Sequence, residues 1–291
     1  MATASIDSIA NSPSTDKTKF NISAYFQRIG YSGSTIPNIE TLRVIHLLHA
    51  QSIPFENLNP FLRIPVALDV DSLYQKLVLN GRGGYCFEHN LLLAEVLKTL
   101  GYSIKGLAAR VLWNVPEEIV TARGHMLLLV EIDSDHFIAD VGFGGMTLTA
   151  PLLLQPDVEQ HTPHEKFKLT QTEQGYLLEA KVQGAWKRVY SFTLQENFQV
   201  DYEVTSWYLS NYPTSHFVTG LIAALPFRNG RHALRNNDFA THYLDGSHER
   251  KRFDNVTDMK STLEKTFGII LPQLPALDAS LERIIQLPAK K

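Results

Sequence analysis

A single cysteine, Cys86, is all the thiol that a chain of 291 residues carries, which rules out an intramolecular disulfide and fits a reducing cytosol. Long apolar runs are missing as well: no segment approaches the roughly 20 consecutive apolar residues of a membrane span, so no membrane partner is expected. Nor is there an excess of charge. Lys and Arg number 27 against 30 Asp and Glu, a formal net charge of −3, which leaves no electrostatic footprint for nucleic acid or an anionic membrane surface. The opening stretch MATASIDSIANSPSTDKTKF has no apolar core of a secretory signal and is rich in Ser, Thr and Ala. Residues 1–20 are therefore expected to form a flexible extension.

What is present is a globular composition, 44% apolar, over a length that suits about two domains or one elaborate one. From 21 to 100 the apolar spacing is helical: ISAYFQRIGY, TLRVIHLLHAQSI, DSLYQKLVLN and FEHNLLLAEVLKTLGY follow one another, with turn signals such as Gly33 and Pro60 between them. From 101 to 211 the pattern changes to short β-rich segments, IKGLAARVLW, HMLLLVEI, HFIADVGF, FKLTQTEQGYLLEAKV and AWKRVYSFTL, separated by Asp, Ser, Gly and Gln. These predict an antiparallel barrel or curled sheet. The remainder, 212–291, mixes strand-like HALRNNDFATHYL with a helical DMKSTLEKTFG. The expected class is α+β.

The stretch GRGGYCFEHN places Cys86 behind three glycines and at the start of a helical pattern. A free cysteine is a small hydrophobe that packing alone often explains. Here, however, unpaired backbone N–H groups and the positive end of the helix dipole favour a thiolate, and Gly81, Gly83 and Gly84 permit a sharp turn with space around sulfur. That setting suits a nucleophile, which needs a base.

Eleven histidines offer candidates. His46 and His49 share a helix face at i and i+3, but no third ligand is visible, so no metal is expected. His89 lies one turn from Cys86, where a base has little freedom to align with both thiol and substrate; a helix-surface or core role suits it better. His125 opens the strand HMLLLVEI. The next strand, HFIADVGFGG, carries Asp140 in a run too apolar to welcome an unpaired charge. A hairpin turning at Asp133 and Ser134 sets Leu127 opposite Asp140 and puts His125 and Asp140 on one face as diagonal neighbours. A slip of one residue would separate them. Cys86 as nucleophile, His125 as proton acceptor and Asp140 as the group that fixes the imidazole tautomer then make a triad.

RGGYCFEHN, HMLLLVEI and IADVGFGG closely resemble the three catalytic segments of the arylamine N-acetyltransferases. The resemblance extends through FNISAYFQRIGY, IPFENLNPFL at Ile53 to Leu62 and WYLSNYPTSHF at Trp207 to Phe217. It implies a three-domain cysteine transferase: a helical bundle (21–100) carrying the nucleophile, a β-barrel (101–211) carrying His and Asp, and an α/β lid (212–291). It also implies cytoplasmic ping-pong transfer from acetyl-coenzyme A, through a cysteine thioester, to a small aromatic amine, hydrazine or hydroxylamine. By motif position Cys86, His125 and Asp140 match the family triad, Phe55 and Phe143 match pocket aromatics, and Val111 stands where some members carry phenylalanine. Thr121, Tyr208 and Thr214 match positions that contact coenzyme A in some members. For Arg82 the resemblance implies a structural ion pair and hydrogen bonds, with Glu56 and Asn59 as partners.

The same Cys, His, Asp order also serves cysteine hydrolases and transglutaminase-like enzymes. Other readings are an inactive binding module and a relative that forms amides in natural-product synthesis. Arg228, Arg231, Arg235, Arg250, Lys251 and Arg252 make the C-terminal part basic, either as phosphate contacts or as a solvated charged face.

Overall fold

The computed structural model describes residues 19–287. The helical part comprises α1 (Ile22–Ile29), α2 (Ile39–Ser52), the one-turn α3 (Leu58–Phe61), α4 (Val70–Leu73), which continues as a π-helical turn over Tyr74–Leu79, and α5 (Cys86–Thr99). A two-residue strand, β1 (Phe55–Glu56), lies between α2 and α3. Asn21 and Asn38 accept main-chain N–H groups at the starts of α1 and α2, and Gly30 closes α1 in the left-handed region at φ 69°. Pro60 is not a turn residue between helices. It lies inside α3, where first-turn N–H groups have no helical partner to lose.

Eight strands follow: β2 (Ser103–Val111), β3 (His125–Ile132), β4 (Asp135–Ala139), β5 (Leu152–Leu153), β6 (Gln160–His161), β7 (Lys166–Thr172), β8 (Gly175–Val182) and β9 (Ala185–Phe192). They form one antiparallel sheet in the order β5-β4-β3-β2-β9-β8-β7-β6. The sheet curls into a nearly closed barrel. Its edges meet where Pro156, just after β5, bridges Leu169 of β7, and where the Gln160 side chain bonds both the N–H and the C=O of Leu153. The remaining elements are α6 (Gln199–Asn211), α7 (His216–Thr219), β10 (Ile222–Phe227), β11 (Gly230–Arg235), β12 (Asp238–Tyr243), β13 (His248–Arg252), α8 (Val256–Lys265) and α9 (Pro275–Ile285). A second antiparallel sheet runs β1-β10-β11-β12-β13.

Three apolar cores hold these layers. Alternation along β3 explains the unbroken run HMLLLV: Leu128 and Val130 pack among the helices with Tyr25, Leu42 and Leu93, whereas Leu127 and Leu129 fill the barrel with Phe167, Leu178 and Val189. The third core joins Leu58 and Phe61 of α3 to Leu234, Met259, Leu263 and Leu281. The stretch 199–211, which follows the barrel strands, is helical, and its Tyr202 and Leu209 pack into the helical core.

Candidate active site

The turn before α5 is zipped to the segment around β1. Glu56 N–H donates to Gly84 O at 2.8 Å, Gly84 N–H donates to Pro54 O at 3.3 Å, and a Cβ on Gly83 would lie 1.8 Å from Pro54 O. No side chain fits at 83. Glu88 reaches back to the Tyr85 N–H at 3.0 Å and pairs with Lys76 at 2.6 Å, fixing the first turn of α5. Cys86 thus begins a rigid helix, almost wholly buried, with Sγ 3.8 Å from Gly124 O.

His125 and Asp140 arrive on neighbouring strands. The β3–β4 hairpin turns at Asp133, in the left-handed region at φ 54°, and Leu128 faces Ala139, so the register continues to Leu127 opposite Asp140. Both side chains are buried, with His125 Nε2 2.7 Å from Asp140 Oδ2. With Nε2 taken, Nδ1 is the ring nitrogen left free, and the Cys86 side chain lies near enough to favour the charged imidazole. Burial works to lower the His125 pKa, but the charge and hydrogen bond of Asp140, with the Cys86 contact, outweigh it and push it up to about 10. Burial works to raise Asp140, and His125, Asn90 and the Gly142 N–H together hold it below the usual carboxylate range. The structure therefore brings Cys86, His125 and Asp140 together, with His125 hydrogen-bonded to Asp140 and close to the Cys86 side chain.

Four groups that support the site were not read from the sequence as partners of Cys86, His125 or Asp140; His46 was read only as half of a helix-face pair. Asn90, one helical turn beyond Cys86, donates to Asp140 Oδ1 at 3.0 Å and to Met126 O at 2.7 Å. His46 Nε2 accepts the Asp140 main-chain N–H at 3.1 Å, so its proton sits on Nδ1, which has no partner among the described residues. Burial lowers His46 to about 4, against the opposing charge of Asp140. Tyr190 stacks at a tilt on His125, centroids 5.2 Å apart; burial and then Asp140 push its phenol well above the usual range, and its hydroxyl has no hydrogen-bond partner among the described residues. A Cβ on Gly142 would lie 2.8 Å from Cys86 Cα, so the loop after Asp140 rests directly on the start of α5. A polar residue one turn from a nucleophile, in an apolar helix, is the one signal by which Asn90 was open to discovery.

Comparison with known proteins decides the family. A profile described as N-acetyltransferase matches residues 38–275. The arylamine N-acetyltransferase of Mycobacterium tuberculosis is 40% identical over 275 residues, covering 93% of this chain and 97% of that protein. This chain belongs to the arylamine N-acetyltransferase family. The Escherichia coli member is 39% identical, covering 84% of this chain and 87% of that protein. Among solved arylamine N-acetyltransferases, that of Mycobacterium marinum in complex with CoA superposes with a TM-score of 0.87 at 38% identity, covering 91% of this chain and 99% of that one.

The other positions singled out by the arylamine N-acetyltransferase resemblance fall into two groups. Phe55 stacks on His89, one turn beyond Cys86, and lies against Phe217, while Phe143 meets His125 edge-on at 5.1 Å. Phe217 joins them, edge-on to Tyr85. Val111 ends β2 opposite Tyr190, and its carbonyl accepts the Thr121 hydroxyl at 2.9 Å. Tyr208 is half exposed and stacks on Tyr212 at 4.7 Å; Thr214 is exposed in the turn after α6. A Cβ on Gly124 would lie 3.7 Å from Leu209 of α6, so the 112–124 loop and the end of that helix come close beside the thiol. Away from the thiol, Arg82 donates to Glu56 Oε1 at 2.9 Å and Asn59 Oδ1 at 3.0 Å. Of the basic residues, Arg231 is buried in a two-pronged pair with Glu165, and Lys251 pairs with Asp258. His89 is a core residue, fully buried.

Among the described residues no helix is long and apolar enough to cross a membrane, and no group of three His, Cys, Asp or Glu side chains could hold a metal ion.

Proposed function

We propose that this protein transfers an acetyl group from acetyl-coenzyme A to arylamines, arylhydrazines or arylhydroxylamines by a ping-pong route through a thioester on Cys86. The observation that carries this is the buried Cys86–His125–Asp140 line at the N-terminus of α5. In the first half-reaction the Cys86 thiolate attacks the acetyl carbonyl, the bond from that carbon to the coenzyme A sulfur breaks, and the leaving sulfur takes the proton held by His125. In the second, the amine nitrogen attacks the Cys86 thioester, the now neutral His125 takes the amine proton, and Cys86 departs as thiolate. Asp140 keeps the imidazole oriented and stabilises its charged form throughout.

An aromatic amine is weakly basic and enters an apolar site uncharged, which suits the Phe55, Phe143 and Phe217 walls. Val111 lies at the edge of that pocket. Thr121, Tyr208 and Thr214 are the side chains proposed to meet coenzyme A as it approaches between the 112–124 loop and α6. Residues 21–100, 101–211 and 212–291 are assigned as bundle, barrel and lid, the lid excluding water that would hydrolyse the thioester. Arg82, Glu56 and Asn59 brace the nucleophile turn. The single unbridged thiol suits a cytoplasmic setting.

Initial rates varied in both substrates test this reading. With acetyl-, propionyl- and malonyl-coenzyme A against a panel of aromatic amines and hydrazines, parallel double-reciprocal lines and acceptor-dependent thiol release are expected. Intersecting lines, or thiol release indifferent to acceptor, would replace it with a direct-transfer or hydrolytic mechanism.

A further inference from the structure

His49 of α2 and His89 of α5 are fully buried and have no step in the reaction proposed above. They form a chain with Tyr25 of α1: Tyr25 Oη is 2.9 Å from His49 Nδ1, His49 Nε2 is 3.0 Å from His89 Nδ1, and His89 Nε2 is 3.1 Å from Pro54 O. Burial keeps both imidazoles neutral, lowering His89 to about 4 and His49 well below its ordinary value.

Neutrality fixes the direction of every bond. A main-chain carbonyl only accepts, so His89 carries its proton on Nε2 and its Nδ1 accepts. His49 must then donate from Nε2, which leaves its Nδ1 to accept from the Tyr25 hydroxyl. The chain runs one way, from the phenol to the Pro54 carbonyl. An apolar core would hold α2 against α5 without desolvating three polar side chains. What it would lack is the second donor to Pro54 O, the shorter of the two beside the Gly84 N–H at 3.3 Å.

That carbonyl belongs to the residue before Phe55. The Phe55 ring lies parallel to His89, 10° between planes and 6.4 Å between centroids, and would touch a Cβ on Gly144 at 3.4 Å. His89 therefore meets Phe55 twice, through the main chain that carries it and through the face of its ring.

We propose that the Tyr25–His49–His89 chain is a positioning device that sets Phe55 as the wall of the acceptor pocket and so governs acceptor binding. It rests on the acetyl-transfer reading and adds three residues that touch no reacting atom.

Two measurements on the full chain test it. Long-range ¹H–¹⁵N spectra of the wild type at neutral pH are expected to show His49 and His89 as neutral Nε2–H tautomers; an Nδ1–H tautomer at either position overturns the chain. His89→Leu, which removes the side-chain donor and leaves Pro54 O with the Gly84 N–H alone, is then compared with His89→Gln, whose amide can both donate and accept. In His89→Leu the KM for 4-methoxyaniline should rise about tenfold, while the p-nitrophenol burst from p-nitrophenyl acetate, which reports acetylation of Cys86 alone, stays within about twofold of wild type. His89→Gln should restore the acceptor KM, and the Phe55 ring resonances should shift in the first variant and return in the second whatever the activity. An unchanged KM in His89→Leu, or unmoved Phe55 resonances, would overturn the proposal. The expected tautomers in the wild type and the expected Phe55 shifts in the variants, together with a wild type that gives no burst, would overturn the acetyl-transfer reading while leaving the positioning of Phe55 standing. If His89→Leu does not fold, His49→Leu and its Gln counterpart serve in its place.

Discussion

Asn90 grips Asp140 on two sides: its Nδ2 donates to Asp140 Oδ1 at 3.0 Å, and its Oδ1 accepts the N–H of Val141 at 3.1 Å. With the further bond to Met126 O, one side chain on the helix that Cys86 opens ties down both strands that deliver His125 and Asp140. Geometry is thus shared between the helical core and the barrel through a single amide.

Asn90→Ala should leave the buried Val141 N–H unpaired and Asp140 Oδ1 with the Gly142 N–H alone, at a cost of about 1–3 kcal/mol in stability. Acetylation of Cys86 should slow along with it. Asn90→Asp should be worse, since it sets a second carboxylate beside Asp140. Urea unfolding and burst kinetics measure the two effects, and an Asn90→Asp protein more active than Asn90→Ala would contradict the assignment.

Asp140→Asn offers the imidazole an N–H where it now finds an acceptor, and so favours the wrong tautomer. Loss in the acetylation rate on the order of 10³ to 10⁴ is expected from the same exchange in other triads. Single-turnover acetylation checks this. A well-folded variant with near-normal rates would remove Asp140 from the machinery.

Stability should carry the signature of His125. Its pKa is raised in the folded protein to about 10 from an ordinary 6.5, so the folded state holds this proton more tightly than the unfolded chain. The resulting stabilisation is fully present below pH 6.5 and fades as pH rises towards 10. The difference in unfolding free energy between wild type and His125→Gln should therefore narrow over that window. A gap that stays constant from pH 6 to pH 10 would mean that His125 is not held protonated.

Gly142→Ala would place a methyl 2.8 Å from Cys86 Cα and 2.9 Å from Asn90 Nδ2. Relief requires the loop to move off the start of α5, at a cost of about 1–3 kcal/mol as for other overpacked sites. Acetylation should slow while a substitution at Gly145, which faces open space, leaves it unaffected. Thermal melts and burst rates of the pair provide the comparison.

That Cys86, His125 and Asp140 come together was legible in the sequence because the arrangement rests on local features: a glycine-rich helix start and a hairpin whose turn at Asp133 and Ser134 fixes the register of β3 against β4. The helix α6 was not. Its exposed face carries Val200, Val204 and Trp207, while Ser206 and Ser210 are buried, Ser206 bonding Tyr85. Apolar periodicity there points the wrong way. The Tyr25–His49–His89 chain was hidden for a different reason: its members come from three helices, and spacing within one segment cannot show that His49 and His89 meet. Pro60 misled because proline signals a turn and an early helical position equally well.

The most direct test of the whole account is to mix the protein with acetyl-coenzyme A alone, measure the intact mass, map the adduct, and then add an aromatic amine. One acetyl group per chain is expected on Cys86, released as the amide when the amine arrives, with no adduct on Cys86→Ala. An unmodified chain, an acetyl group on another residue, or an acetyl-enzyme that the amine does not discharge would contradict it.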